Sequence, residues 1–371
     1  TEEEVQAVLE AIRESMDIRE GFRPHPKVTE FEEAFAQYCG ANHAFACTSA
    51  GTGLDLAMMC LDLQPGDEVI SQVMTYPGTH QAILGQGGTL VLAEIDPKTF
   101  NIDPNDVERR ITPRTRAILA VHDHGLAVPM DELEEIAQRH PHPKYGPPKL
   151  IYDAARACGA GYKGTKVGKK GWMTVFSFHT QKLLVTLGEG GMVTTDDPDL
   201  YRRIRAHGNW GSPDYWGTNY RLSRLQAAAG LVQLRRLDQM LERRRDRAQK
   251  LLSLLAERVP ELTLPEEPSG YYHAYYLVCC LLPRELGDKR DALINWMQEN
   301  TGVGLVIANH PTYRYQHTII RKLGFRDEDF PVSVDVADRF FCPPMHPLLT
   351  DADLEYIADS LRAGVDHIKK L

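Results

Sequence analysis

The stretch "TVFSFHTQK", residues 174–182, decides the fold class of this chain. Its first five residues are typical of a buried strand, and the run then ends on a histidine and a lysine. Five other short apolar runs resemble it: "EVISQVMT" (68–75), "TLVLAEI" (89–95), "RAILAVHD" (116–123), "KLIYDAA" (149–155) and "GMVTT" (191–195). Helical stretches such as "GLDLAMMCL" (53–61) and "MDELEEIAQRH" (130–140) separate the earlier runs. This alternation predicts an α/β protein with a mostly parallel central sheet.

The C-terminal part of the chain lacks that alternation. A long helical pattern begins near residue 222, "YYHAYYLVCCLL" (271–282) is a strand candidate, and "DADLEYIADSLRAGVDHI" (351–368) is an amphipathic helix. We therefore predict a helical segment at 1–28 that packs with the small domain, a large domain at 29–235, and a smaller α+β domain at 236–371.

The composition excludes several classes of protein. The chain has 371 residues and a net charge of −9, whereas a nucleic-acid partner would require a basic face. No apolar run approaches the roughly 18 residues that span a membrane. Seven cysteines without CxxC spacing do not form a disulfide or zinc framework. With the acidic, helical start "TEEEVQAVLEAIRES", these features predict a cytoplasmic enzyme that binds neither nucleic acid nor membrane.

Two polar residues stand at predicted strand ends, where parallel sheets bind their ligands. Lys182 follows one strand, and Asp153 ends another. Lysines at strand ends are commonly solvated, and Asp153 could simply cap its strand or pair with Arg156. The alternative is that Lys182 forms an imine with a carbonyl and that Asp153 keeps a pyridine nitrogen protonated, as in pyridoxal phosphate enzymes.

The turn "TSAGTGLDLA" (48–57) contains glycine and opens a helix, a geometry whose free amides bind phosphate. Ser49 or Thr52 could also cap this helix, and the two functions are compatible. Ser177 could add a hydroxyl to the same phosphate. Together with Lys182 and Asp153, in this order, these residues indicate a cofactor that carries a phosphate.

Two other patterns suggest different cofactors. "GAGYKG" (159–164) has the GxGxxG spacing of dinucleotide binding, but the polar "TKVGKKGW" that follows does not predict the helix that this function requires. "HDH" (122–124) could place two histidines on one face of a strand, and no third zinc ligand is indicated nearby. We therefore predict no nicotinamide and no metal.

On these residues the chain resembles the DegT/DnrJ/EryC1/StrS aminotransferase family, fold type I pyridoxal phosphate enzymes that act on sugars and cyclitols. The resemblance covers nearly the whole length. It is strongest in "PGDEVI" (65–70), "IDPKTFNIDP" (95–104), "ITPRTRAILAVHDHG" (111–125), "YDAARACGA" (152–160), "FSFHTQK" (176–182), "GEGGMVTTDD" (188–197), "NYRLSRLQAAAGLVQLRRLD" (219–238) and "PMHPLLTDADLEYI" (344–357). It implies a large domain with a mostly parallel sheet, a smaller α+β C-terminal domain, and pyridoxal 5'-phosphate as cofactor.

The resemblance also implies a role for individual residues. Lys182 corresponds to the imine-forming lysine, Asp153 to the partner of the pyridine nitrogen, and Tyr76 to an aromatic ring stacked on the cofactor. The phosphate contacts that it implies lie at Ala50, Gly51, Thr52 and Ser177. Asn219 corresponds to an asparagine contributed by the neighbouring subunit, which implies a homodimer with shared active sites. His179 follows the strand directly and could contact substrate or pack at the strand end.

Three features depart from the family pattern. The phosphate turn reads Ser49-Ala50-Gly51, with Thr52 one position late. Position 156 usually holds glutamine or histidine near the phenolic oxygen of the cofactor, where Arg156 would act as a fixed cation. The usual substrate segment is replaced by "GLVIANHPTYRYQHTIIRKLG", within residues 303–325.

The predicted reaction is transfer of an amino group from glutamate or glutamine to a keto sugar or cyclic polyol ketone. Such a step belongs to the biosynthesis of amino sugars, aminocyclitols or related secondary metabolites. One alternative is a pyridoxal phosphate dehydratase, but relatives with that chemistry carry histidine in place of the lysine, so Lys182 counts against it. A non-catalytic regulatory protein of the same fold is a second alternative, which loss of Lys182 or Asp153 would have indicated.

Overall fold

The structure is a computed structural model that describes residues 1–16 and 25–371. Part of the predicted N-terminal segment, residues 17–24, therefore lies outside the described residues.

A seven-stranded sheet forms the centre of the molecule. Its strands are β1 (His43–Cys47), β2 (Glu68–Gln72), β3 (Thr89–Ala93), β4 (Thr115–Val121), β5 (Lys149–Asp153), β8 (Met173–Ser177) and β9 (Gly191–Thr195). The spatial order is β1-β9-β8-β5-β4-β2-β3. β9 is antiparallel to both of its neighbours, whereas the other pairs are parallel. The six predicted strands are confirmed, and the edge strand β1 is an addition.

Two small sheets lie outside the central one. They consist of β6 (Gly161–Tyr162), β7 (Thr165–Lys166) and β10 (Tyr271–Tyr272), and of β11 (Cys280–Leu281) and β12 (Phe340–Phe341). The prediction of a single strand over 271–282 is therefore wrong for the residues between Tyr272 and Cys280. There Ala274 N donates to Gly125 O at 2.8 Å and Leu277 N to His124 O at 3.2 Å. These amides bind the loop after β4 instead of a strand, which brings the segment to the edge of the central sheet.

Helices cover both faces of the central sheet and build most of the C-terminal part. They are α1 (Glu2–Glu14), α2 (Pro26–Cys39), α3 (Ala50–Leu61), α4 (Pro77–Gly85), α5 (Pro104–Arg110), α6 (Met130–Arg139), α7 (Pro198–Gly208), α8 (Arg224–Arg258), α9 (Arg290–Thr301), α10 (Pro331–Arg339) and α11 (Asp351–Ile368). The bounds of α11 are those of the predicted amphipathic helix.

Alternate residues of the inner strands belong to two different hydrophobic clusters. Ile70 and Ile118 pack with α2, α6 and α8, whereas Val69 and Leu119 pack with α3, α4, α7 and α10. Both faces of the sheet are therefore buried, which is why its strands are continuous apolar runs in the sequence. A third cluster joins the second half of α8 to α9 and α11.

Helix α8 is 35 residues long and crosses the predicted domain boundary at 235/236 without interruption. Leu234 belongs to a cluster of the central sheet and Leu251 to the C-terminal cluster. Helix α1 packs on α8, where Arg235 Nη2 donates to Glu3 Oε1 at 2.6 Å. Because α8 packs in both the cluster of the central sheet and the C-terminal cluster, the division into an N-terminal segment, a large domain and a small domain stays a prediction.

Among residues 1–16 and 25–371, no helix combines the length and the apolar character that crossing a bilayer demands.

Candidate active site

The predicted cofactor residues gather at one edge of the central sheet. β1, β2, β4, β5 and β8 all point the same way, so their carboxyl ends meet at this edge, where the reversed strand β9 begins. Each predicted cofactor residue except Asn219 ends or follows one of these strands. The turn Ala50–Thr52 follows β1, Tyr76 follows β2, Asp153 ends β5, Arg156 follows β5, Ser177 ends β8 and Lys182 follows β8.

Asp153 is a buried carboxylate with two hydrogen-bond donors. Thr79 Oγ1 donates to Oδ2 at 2.8 Å, and the backbone N of Ala155 donates to Oδ1 at 3.0 Å. Burial raises the pKa of Asp153, and these two hydrogen bonds and the positive charge of Lys182 oppose that rise. Thr79 comes from α4, which the sequence did not connect with Asp153. The carboxylate is thus held in one orientation at the strand end.

Lys182 lies in the loop that connects β8 to β9. The loop is closed by Phe178 N donating to Gly190 O at 2.8 Å, and Lys182 N donates to His179 O at 2.8 Å. The Nζ atom lies 5.0 Å from the centroid of the Tyr276 ring. Burial, assisted by the charge of Arg156, lowers the pKa of the Lys182 amine to about 8. The amine is therefore about one tenth unprotonated at pH 7, far more than a solvated lysine, which favours its use as a nucleophile or base.

The turn after β1 combines a helix cap with free amides. Ser49 Oγ accepts from Thr52 N at 3.2 Å, while Thr52 Oγ1 accepts from Ser49 N at 3.1 Å and donates to Ser49 O at 2.9 Å. The hydroxyl of Thr52 is therefore engaged in a capping box. Ala50 and Gly51 supply the first amides of α3, which an α-helix leaves without intrahelical partners. The capping and phosphate-binding interpretations of this turn are thus compatible, with the amides as phosphate donors.

Gly191 shows how closely the turn is held against the sheet. A Cβ atom on Gly191 would lie 2.6 Å from both the carbonyl carbon and oxygen of Ser49 and 2.8 Å from Ala50 N. Gly191 is paired with Ser177 across β8 and β9, so the Ser177 side chain belongs to the same corner. The absence of a side chain at 191 lets the turn after β1 and Ser177 approach one another.

Arg156 is part of a closed ring of hydrogen bonds. Its Nη1 donates to Asp123 Oδ1 at 2.7 Å and its Nη2 to Asn309 Oδ1 at 3.0 Å, while Asn309 Nδ2 donates to Asp123 Oδ2 at 2.7 Å. The guanidinium lies 5.7 Å from the centroid of the Tyr276 ring. Sequence reasoning singled out Arg156 but missed Asp123 and Asn309, because the partners are 33 and 153 residues away along the chain.

The 303–325 segment reaches the same edge through irregular structure. Pro311 forms an isolated bridge with Met74, and Thr312 N donates to Val73 O at 2.9 Å. Thr312 Oγ1 is 2.8 Å from Nδ1 of His80, a buried ring whose pKa burial lowers to about 3. These contacts fix the segment against the residues that follow β2.

Three predicted residues have contacts that do not by themselves define a role. The Tyr76 side chain is 68% exposed at the start of α4, which leaves a face free for stacking. His179 Nδ1 accepts from Gln181 N at 3.3 Å, and its Nε2 lies 3.9 Å from Glu189. Asn219 Oδ1 accepts from Arg221 Nε at 2.9 Å, in a separate cavity of about 180 Å³.

"GAGYKG" does not fit dinucleotide binding. It folds into β6 and the turn to β7, which pair as an antiparallel hairpin, and no helix begins in it. In "HDH", His122 Nδ1 accepts from Val128 N at 2.8 Å and is thus engaged in the loop after β4. Among the described residues, no three histidine, cysteine, aspartate or glutamate side chains are grouped to hold a metal ion.

The donor set at the sheet edge fits pyridoxal phosphate. A nucleophilic amine at Lys182, an oriented carboxylate at Asp153 and free amides at Ala50 and Gly51 match the aldehyde, the pyridine nitrogen and the phosphate of that cofactor. Fold and site together thus define a pyridoxal phosphate enzyme.

Comparison with known proteins narrows this class. The model of the DegT/DnrJ/EryC1/StrS aminotransferase family matches residues 1–362. The chain is 36% identical over 341 residues to the GDP-perosamine synthase of Caulobacter vibrioides, covering 90% of this chain and 89% of that protein. It is 34% identical to the spore coat polysaccharide biosynthesis protein SpsC of Bacillus subtilis, covering 97% and 94%. Among solved structures, DesV of S. venezuelae superimposes with a TM-score of 0.86 at 30% identity, covering 97% and 94%.

The chain belongs to the DegT/DnrJ/EryC1/StrS aminotransferase family. It is therefore a fold type I aminotransferase whose cofactor is pyridoxal 5'-phosphate, which confirms the predicted fold class, enzyme class and cofactor.

Proposed function

We propose that this enzyme transfers an amino group from glutamate or glutamine to a keto sugar or a cyclic polyol ketone, as a cytoplasmic homodimer. The observation that carries the proposal is the Lys182 amine, whose pKa is lowered to about 8 beside the fixed carboxylate of Asp153. The names of the relatives, a GDP-perosamine synthase and a polysaccharide biosynthesis protein, support an acceptor derived from a sugar.

Each residue at the sheet edge has a distinct task. Lys182 binds the cofactor covalently, and Asp153 holds the proton on the pyridine nitrogen. The remaining groups orient the cofactor: the amides of Ala50 and Gly51 and the hydroxyl of Ser177 at its phosphate, the ring of Tyr76 against its face, and Arg156 near its phenolic oxygen. Thr52 supports the phosphate donors by capping the helix that carries them. Pyridoxal phosphate, when bound, supplies the electron sink that stabilises negative charge on the donor carbon.

Lys182 is also the proton carrier in this proposal. Its unprotonated Nζ takes the proton from the donor carbon and returns it to the cofactor carbon, as general base and then as general acid. A group serves both functions best when its pKa lies near the working pH, and burial, which lowers the pKa of the amine in the cofactor-free chain to about 8, shifts it toward that range. His179 stays a candidate for substrate contact on the same loop.

The visible spectrum of the purified protein, with borohydride reduction and peptide mapping, tests the covalent role. We expect a yellow protein whose band shifts on addition of glutamate or glutamine, and a reduced label on Lys182. A label on another lysine, or a chain that takes up no cofactor, would contradict the proposal. Formation of 2-oxoglutarate from glutamate, or of 2-oxoglutaramate from glutamine, in step with an aminated product distinguishes amino transfer from the dehydratase alternative.

The role of Asn219 in the partner's site is tested with mixed dimers. If Asn219 serves the neighbouring subunit, a hybrid of a Lys182→Ala chain and an Asn219→Ala chain contains one intact site. If it serves its own subunit, both sites of the hybrid carry a defect. Activity that reappears on mixing the two variants supports shared sites, and no recovery in proven hybrids contradicts them.

A further inference from the structure

The ring formed by Asp123, Arg156 and Asn309 connects three distant parts of the chain. Asp123 lies two residues after β4, Arg156 three residues after β5, and Asn309 in the 303–325 segment. Each side chain contacts the other two, at 2.7, 3.0 and 2.7 Å. Because three polar groups satisfy one another in a closed arrangement, none can rotate without breaking two hydrogen bonds.

The ring is anchored through Asp123, which is 1% exposed, to the loops that follow β3 and β4. Asp123 N donates to Asn101 Oδ1 at 2.9 Å, and Asn101 Nδ2 donates to Ala127 O at 3.0 Å. Burial opposes the charge of Asp123, yet its pKa is lowered, because His124 and Arg156 face it. Burial also lowers the pKa of His124 to about 4, so the His124 imidazole is neutral near pH 7. Arg156 therefore supplies the positive charge that faces Asp123.

The ring lies within electrostatic reach of the Lys182 amine. The positive charge of Arg156 lowers the pKa of Lys182, and the negative charges of Asp153 and Asp123 raise it. Lys182 Nζ and the Arg156 guanidinium both lie beside Tyr276, at 5.0 and 5.7 Å from its ring centroid. A small rotation of the Arg156 guanidinium would therefore change the electrostatic potential at the Lys182 amine.

We propose that Asp123 and Asn309 are positioning residues that hold the Arg156 guanidinium as a fixed cation beside the Lys182 amine. This inference rests on the proposed function of Lys182 and deepens it. Asn309 belongs to the segment where the chain departs from the family pattern. The position of the 303–325 segment therefore affects the protonation of the Lys182 amine, because the side-chain amide of Asn309 contacts both Arg156 and Asp123.

Several charged and titratable groups face the Lys182 amine and the ring. Those that act on the charge of Lys182 are Asp153, Arg156 and Asp123. Those that interact with the charge of Arg156 or Asp123 are His124, Tyr276, Cys279 and Tyr315. The test therefore changes only the three members of the ring.

The experiment measures the pKa of the Lys182 amine directly. The full-length protein, freed of cofactor, is acetylated with limiting acetic anhydride over a pH series, and the label on Lys182 is quantified by mass spectrometry. We expect Arg156→Gln to raise the pKa by about one unit, because the cation is lost and the Asp123 anion is left unpaired. Asn309→Ala should raise it by about half a unit, because the guanidinium is no longer held. Asp123→Asn should lower it, because the anion is removed while the amide oxygen at position 123 can still accept from Arg156 Nη1 and keep the cation in place.

Gln316→Ala is the matched control, an exposed amide of the same segment that contacts Arg321 at 2.6 Å. An Asn309→Ala titration equal to that of Gln316→Ala, in a variant with native thermal melting, would overturn the role of Asn309. Equal signs for Asp123→Asn and Arg156→Gln would overturn the fixed-cation arrangement. If Asn309→Ala does not fold, the comparison of Asp123→Asn with Arg156→Gln tests the proposal by itself.

The visible pH titration of the holoenzyme gives an independent readout, in which the same three variants should shift in the same order. Borohydride labelling separates the two proposals. If the label falls on Lys182 but the ring variants leave its pKa unchanged, the positioning role alone fails. If the label is absent from Lys182, the proposed function fails first.

Discussion

Two regions of the site differ in how they are built. The cofactor half consists of strand ends and a helix N-terminus, with Asp153, Ser177 and Lys182 placed by the central sheet. The 303–325 segment consists of loops and short 3-10 turns, such as Thr312–Arg314 and Ile319–Lys322. An isolated backbone bridge, one further backbone hydrogen bond and a few side-chain hydrogen bonds attach it to the residues that follow β2, β4 and β5. The half that carries the common chemistry is thus fixed by regular structure, whereas the divergent half is held by irregular backbone, individual hydrogen bonds and the packing of side chains such as Tyr313 and Ile320.

The largest expected effect is on the cofactor half. Lys182→Ala should lower turnover at least about a thousandfold, because the covalent attachment and the proton carrier are lost together. Lys144→Ala, which removes an exposed lysine of the loop between α6 and β5, is the control and should leave turnover unchanged. Steady-state assays with glutamate and glutamine provide the measurement. Appreciable residual transamination in Lys182→Ala would show that this residue is not the catalytic lysine.

Gly191→Ala tests the close contact between the sheet and the turn after β1. Its methyl group would meet the Ser49 backbone, so we expect a loss of about 1–3 kcal/mol in the free energy of unfolding and weaker cofactor binding. Gly85→Ala is the matched control, since a Cβ there has no heavy atom within 4 Å. Urea denaturation and cofactor titration measure both effects. Equal stability of the two variants would mean that the turn can move away from the sheet at little cost.

The protonation of Lys182 predicts a pH dependence. Since the pKa is lowered from 10.5 to about 8, the unprotonated amine becomes available as the pH rises through 8. Between pH 7 and 9 the rate of cofactor uptake by the cofactor-free chain should rise about tenfold and then level off. Stopped-flow absorbance measures this rate. A rate that keeps rising beyond pH 10 would indicate an ordinary, solvated lysine.

Thr79→Val removes one of the two donors that orient Asp153. A hydrogen bond to a charged group contributes about 1.5–3 kcal/mol, part of which water can replace, so we expect cofactor affinity to fall several-fold. Thr79→Ser keeps the hydroxyl and should restore the affinity. Equilibrium titration with pyridoxal phosphate compares the three proteins. Equal affinity of all three would leave Thr79 without a role in orienting the carboxylate.

The smallest expected effect concerns one attachment of the 303–325 segment. Thr312→Val removes the hydroxyl that lies 2.8 Å from His80 Nδ1 and should cost about 1 kcal/mol of unfolding free energy. The KM for the acceptor should rise more than the KM for the amino donor. A double-mutant cycle with His80→Ala isolates the pair, and a coupling energy near zero would show that this contact does not hold the segment.

The two regions also differ in how far the sequence predicted them. The six strand runs, the long helix from Arg224 and the residues at strand ends followed from local pattern and from the resemblance to the family. The edge strand His43–Cys47 was missed because its five residues carry little periodic signal. The predicted strand over 271–282 was wrong because its backbone amides bind the loop after β4, a choice that depends on tertiary contact.

The sequence by itself determined the fold class, the cofactor and the order of the candidate residues along the chain. Buried parallel strands and a glycine-containing helix start are local patterns, and each carries its physical meaning with it. Only the tertiary structure decided that Asp123 and Asn309 fix Arg156 and that Thr79 orients Asp153. Hydrogen bonds between side chains require distances and angles that no spacing in a sequence can specify, because they form between segments brought together by the whole fold.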